Sequence, residues 1–138
     1  MYSKIEGSII TARFDKETDF FTDLVDLCNK YEVKSGTVLW AIGMLKEFQI
    51  GYWNGNDYEK ETFRERLELV SLHGSIAEND PRFHIHAAGA RGNHGIVGGH
   101  LFSAKVDPLV EIQIMKITGF SMSRELDNSD GLYKLVIK

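Results

Sequence analysis

Apolar positions at Phe20, Phe21, Leu24, Leu27, Cys28 and Tyr31 recur with the spacing of one helical face. They predict an amphipathic helix from about Thr18 to Tyr31. Asp15 or Thr18 can cap its start, Asp19 suits the positive end of the helix dipole, and Lys30 suits the other end. Cys28 lies on the apolar stripe and reads as core filler. The rest of the chain reads as strands: Gly7–Ala12, Thr37–Gly43, Phe48–Trp53, Phe63–Ala77 with a bend near Gly74, Arg82–Ala88, Ile96–Lys105, Val110–Thr118 and Leu132–Ile137. Thr37–Gly43 is too apolar for a half-exposed strand and belongs at the centre. Short connections imply mostly antiparallel pairing. One early helix among many strands predicts an α+β fold, a single domain over residues 1–138 with the principal helix packed on a mainly antiparallel sheet.

Composition narrows the function. Hydrophobic residues make up 43% and charged residues 26%, a globular balance with no repeat or low-complexity stretch. Sixteen Lys and Arg against twenty Asp and Glu leave a net charge of −4, which opposes a dedicated nucleic-acid binder. Cys28 is the one cysteine, so no disulfide within the chain and no Cys-type zinc site can form. With no apolar leader core, the expected location is the cytoplasm. Uncharged runs such as Ser35–Leu45 fall far short of the about 20 apolar residues of a membrane span, so no membrane partner is expected.

All five histidines fall between His73 and His100. In the segment Phe83-His84-Ile85-His86, side chains two apart share one face of a strand. His84 and His86 therefore point together, while Phe83 and Ile85 point to the opposite side. The following Gly89–Gly95 segment is dense in turn residues. If the chain reverses about Gly92, His84 lies opposite His100 and His86 opposite Gly98. Opposed residues share a face, so all three imidazoles converge. A slip of two residues keeps that face and a slip of one destroys it. Three imidazoles suit Zn²⁺ or another divalent transition metal, with a fourth position for water, an anion or an acid side chain. His73 and His94 are expected in structural or surface roles. Glu68 and Glu111 are candidate fourth ligands or general bases, although their strand positions also fit ordinary solvent-facing residues. Trp40 and Trp53 read as core or interface. No GxxxxGK[ST] phosphate loop, H-E-x-x-H pair or Gly-x-Ser-x-Gly nucleophile elbow occurs.

Three segments taken together resemble the PPC (plants and prokaryotes conserved) domain. They are Arg64-Glu65-Arg66-Leu67-Glu68-Leu69-Val70-Ser71-Leu72-His73-Gly74-Ser75-Ile76, then Phe83-His84-Ile85-His86, then Val97-Gly98-Gly99-His100-Leu101. Ala41-Ile42-Gly43-Met44-Leu45 and Gly51-Tyr52-Trp53 are similar to its earlier segments. The resemblance covers nearly the whole chain. It implies a compact α+β domain that associates as homotrimers, with His84, His86 and His100 as the metal-binding histidines. In plants this domain follows AT-hook motifs. No Arg-Gly-Arg-Pro hook occurs here, and Arg91-Gly92-Asn93 lacks its second Arg and its Pro. DNA binding is accordingly not expected of this chain.

The leading reading is a cytosolic, trimeric metal-binding protein that binds a small ligand, an anion or a partner. A metal-dependent enzyme using metal-bound water on a small substrate is the second reading. A DNA-associated regulator is the third.

Overall fold

A computed structural model of the chain describes all 138 residues. In chain order the elements are β1 (Tyr2–Glu6), β2 (Ile9–Asp15), α1 (Phe20–Lys30), β3 (Ser35–Trp53) and β4 (Tyr58–Phe63), then β5 (Leu67–Ile76), β6 (Phe83–Ala90), β7 (Ile96–Ile117), β8 (Met122–Asp127) and β9 (Leu132–Ile137). The expected α+β class holds: one helix packs on β2 and β7, and every strand pairing is antiparallel.

The helix begins two residues later than its periodicity implied. Neither Asp15 nor Thr18 caps it. Asp19 does, accepting from the Thr22 N–H at 2.8 Å. Thr18 instead donates to the backbone of Asp15 and to Asp23. Phe20, Leu24, Leu27 and Cys28 are fully buried, as the stripe required. Burial pushes the Cys28 thiol up to about 11, which fits core filler.

Seven strands form one sheet in the order β1-β2-β7-β6-β5-β3-β4, and β7 also pairs with β3. The pairings β3–β5, β5–β6, β6–β7 and β7–β3 therefore close a circuit around the core, leaving β5 and β6 without free edges. β8 and β9 form a separate hairpin.

The strands are longer and more numerous than their pattern suggested. Thr37–Gly43 and Phe48–Trp53 are one strand, β3, and Ile96–Lys105 and Val110–Thr118 are one strand, β7. Register shifts between these two strands, at Gly43/Leu45 and Lys46/Gln49 among others, bend the pair without ending it. Lys46, Glu47, Asp107 and Pro108 lie at these irregularities, which is why the sequence looked like loops there. Gly43 has φ +132, and an added Cβ would lie 2.2 Å from the Leu109 carbonyl oxygen. The Asp107 carboxylate is tied to Arg66 at 3.0 Å, Lys46 at 3.5 Å and Lys16 at 3.8 Å. Gly7 belongs to the β1–β2 turn, with φ +57, and not to a first strand. Phe63 ends β4, and β5 starts only at Leu67. β1, β4 and β8 escaped notice because they are short and rich in polar residues.

One close approach sets the geometry of the site described next. Gly74 of β5 faces Ile85 of β6, and a Cβ at Gly74 would fall 2.1 Å from the His84 carbonyl oxygen and 2.7 Å from Ile85 Cδ1. Gly74→Ala forces these strands apart. We expect a loss of about 1–3 kcal/mol, measured as a lower midpoint in urea denaturation; an unchanged midpoint would show that the strands yield freely.

Candidate metal centre

Ile85 is 1% exposed, and Phe83 packs partly against the core. With those two inward, strand alternation turns His84 and His86 outward. Neighbouring strands bring further side chains to that face. In β5, Ser75 lies opposite His84 and His73 opposite His86. In β7, His100 lies opposite His86.

This pairing differs from the expected one, in which His100 faced His84. The turn occupies residues 91–95, centred on Asn93 rather than Gly92. The Arg91 N–H donates to the Gly95 carbonyl at 2.9 Å, and the His94 N–H to that of Arg91 at 2.8 Å. Asn93 Oδ1 accepts from the Gly95 N–H, and His94 adopts φ 67. The displacement is two residues, so the parity of the faces survives.

The three predicted histidines meet. Ring centroids are 5.0 Å apart for His84–His86, 5.2 Å for His84–His100 and 5.5 Å for His86–His100. The Nε2 atoms of His84 and His86 are 3.1 Å apart. One ring nitrogen from each of the three lies within 4.8 Å of the others. His100 Nδ1 is buried and has no hydrogen-bond partner. Such a donor set could hold a metal ion.

An aromatic wall backs His100. Its ring centroid is 4.6 Å from that of Phe102 and 5.0 Å from that of Tyr58. The wall exists because Gly51, opposite His100 on β3, has no side chain; a Cβ there would lie 2.6 Å from the Phe102 ring. Lys60 Nζ sits 4.0 Å from the Phe102 ring centroid.

Burial and neighbouring positive charge keep these imidazoles neutral. His100 is lowered to about 4 by burial first, then by His84, His86 and Lys60. His84 is lowered by burial, then by His86 and Arg124, and His86 by burial, then by His73.

The other candidates lie apart. Glu68 faces Ala90 and Met44, and Glu111 faces Arg13 and Ile42. Both are exposed, and neither belongs to the histidine group. His94 is exposed in its turn. His73 is also exposed, but it shares the outer face beside His86, which the β5–β6 register reveals and the sequence reading passed over. Trp40 is part-exposed and donates to Gln113 Oε1 at 3.1 Å. Trp53 lines a cavity of about 620 Å³ shared with His84 and His100. The same cavity receives Arg124, a residue that sequence reasoning missed entirely.

The sequence profile of the Plants and Prokaryotes Conserved (PCC) domain matches residues 1–118. No curated protein matches the chain. Among solved structures, a metal-containing protein from Archaeoglobus fulgidus has 26% identity and a TM-score of 0.85, covering 99% of each chain. A proposed DNA-binding protein from Bacteroides thetaiotaomicron has 24% identity and a TM-score of 0.88, covering 98% of this chain and 96% of its own. A plant- and prokaryote-conserved protein from Pyrococcus horikoshii has 23% identity and a TM-score of 0.82, covering 93% of this chain and 92% of its own. The last two likenesses establish the fold alone. With the profile spanning β1 to β7 and all three clustered histidines, the chain belongs to the plants and prokaryotes conserved domain family.

Proposed function

We propose that His84, His86 and His100 hold one divalent transition ion, zinc by preference, whose open position takes a small ligand or anion. The observation that carries this reading is the convergence of three imidazole nitrogens within 4.8 Å, in a group that contains no carboxylate. Ligation requires neutral imidazole, and all three rings are held below the ordinary histidine value. Two nitrogens bound tetrahedrally to zinc at about 2.0–2.1 Å sit roughly 3.3 Å apart. The two Nε2 atoms of His84 and His86 are 3.1 Å apart. An ion on His100 Nδ1 would also satisfy a buried polar atom that otherwise has no partner. The metal-containing protein from Archaeoglobus fulgidus supports the same reading.

Three protein ligands leave a coordination position free, unlike the four of a structural zinc site. The surrounding residues favour binding over hydrolysis. Glu68 and Glu111 stand apart from the imidazoles, so neither is placed to act as a general base. No helix is long and apolar enough to cross a membrane. The working form we propose is a cytoplasmic homotrimer. Ile42 and Val70, on the adjacent strands β3 and β5, are 49% and 54% exposed, with Leu39 and Trp40 part-exposed nearby in sequence. Apolar surface of this kind is what an interface between copies covers.

Three outcomes are expected. Elemental analysis after zinc loading and gel filtration should give about one ion per chain. His84→Ala or His86→Ala should lower occupancy sharply, and His94→Ala should leave it intact. Equal metal in all of these would remove the three histidines from the site. Light scattering should give about three times the chain mass of 15.6 kDa; a monomer at micromolar concentration contradicts the trimer.

The third outcome concerns pH. In the metal-free protein the three imidazoles bind protons less readily than in the unfolded chain. As pH falls through about 6.5, the unfolded chain therefore gains protons first and stability is lost, the His100 share continuing down towards about 4. The urea midpoint should fall between pH 7.5 and 5, and His100→Gln should flatten that fall. A midpoint independent of pH over this range would contradict it.

A further inference from the structure

The β8–β9 hairpin lies beyond the part of the chain that matches the family profile, yet it closes over the histidine face. The Met122 N–H donates to Ser35 Oγ at 2.9 Å, and the Met122 carbonyl accepts from the Glu78 N–H at 2.8 Å. Asn79 grips Arg124 from both sides, its Oδ1 accepting from the Arg124 N–H at 2.7 Å and its Nδ2 donating to the Arg124 carbonyl at 2.9 Å. The backbone of Arg124 is thus held in place, and its side chain reaches the cavity of about 620 Å³ that His84 and His100 also line.

The Arg124 residue is 5% exposed. Its Nη2 donates to Ser75 Oγ at 2.6 Å, and Ser75 faces His84 across β5 and β6. Its Nε is buried with no partner, and its Nη1 makes no hydrogen bond within the protein. No carboxylate pairs with it, and no Asp or Glu lines the cavity. A buried guanidinium with neither counter-ion nor a full set of acceptors is costly, and a ligand that brings a carboxylate removes that cost. Half of the lining is apolar or aromatic, including Tyr58, Phe83, Phe102 and Leu135, and Lys134, the other cation of the wall, is already paired with Asp130.

We propose that this cavity binds a small carboxylic acid with an aromatic or apolar body. Its carboxylate accepts from the guanidinium of Arg124 at Nη1, and its body lies against Tyr58, Phe83 and Phe102. Guanidinium and carboxylate match as paired donors and acceptors. The apolar part of the wall favours a ligand with a body to bury over inorganic phosphate, which has none. The assignment deepens the ligand-binding reading above and rests on it, but its anchor is Arg124 and not the metal.

The test is calorimetric titration of the zinc-loaded protein with benzoate, phenylacetate and indole-3-acetate. Benzamide and inorganic phosphate serve as controls. At least one of the three acids should bind at one per chain, at least ten times more tightly than benzamide or phosphate. Arg124→Gln and Arg124→Lys should each weaken that acid by roughly 10-fold or more, the loss of charge-assisted hydrogen bonds, while keeping wild-type zinc content. If neither variant folds, the wild-type contrast between the acids and benzamide still decides. Benzamide binding as tightly as the acids, or no acid binding at millimolar concentration, overturns the proposal. So does acid binding that Arg124→Gln leaves unchanged and His84→Ala abolishes, which would place the ligand on the metal alone. A chain that binds no zinc but still binds the acid through Arg124 refutes the metal reading and leaves this one standing.

Discussion

The packing of Ile85 against Gly74 decides what β6 presents to solvent. Ile85 is buried, and the missing side chain at Gly74 lets the two strands approach closely enough to hold it there. Once its direction is set, His84 and His86 have no choice of face. Antiparallel pairing then carries the choice to the neighbours, placing Ser75 and His73 on one side and His100 on the other. A single apolar contact in the core thereby organises a polar cluster on the surface. A one-residue slip would bury the imidazoles and expose Ile85, so the free energy of core burial guards the register of the site.

The electrostatic character of the cluster follows from its neighbours. Three imidazoles crowd together beside Lys60, Arg124 and His73, and all three are partly removed from water. Each influence disfavours the protonated ring. Lone pairs are therefore available at neutral pH, which suits metal ligation. The same positive surroundings, with no carboxylate in the cavity, suit an anion beside the imidazoles. Phe102 and Tyr58 fix the His100 ring from one side, in the room that Gly51 provides.

Much of this was legible in the chain. The stripe from Phe20 to Cys28 gave the helix, and the alternation at Phe83–His86 gave the face. The three clustered histidines could be named because parity alone was needed, and the two-residue error in the turn left parity untouched. The turn centre itself was hidden, because it depends on the Asn93 side chain and on His94 adopting a positive φ. The continuity of β3 and β7 was hidden as well. Their irregularities carry charged residues and Pro108, and only the partner strand shows that pairing resumes beyond them. Arg124 left no local signal at all. Its place depends on Asn79, Ser75 and Ser35, residues distant in sequence that dock the hairpin. Local periodicity thus reports on faces, and long-range docking decides what covers them.

The role proposed for the outward face of β6 and β7 is to hold an ion through three imidazoles. Crystals grown at pH 7.5 from zinc-loaded protein, with anomalous scattering recorded on both sides of the zinc absorption edge, address it most directly. One anomalous peak per chain is expected, bonded to His84, His86 and His100 at about 2.0–2.1 Å, with a non-protein ligand at the remaining position. Imidazoles bonded only to one another and to water, with no peak between them, would contradict it.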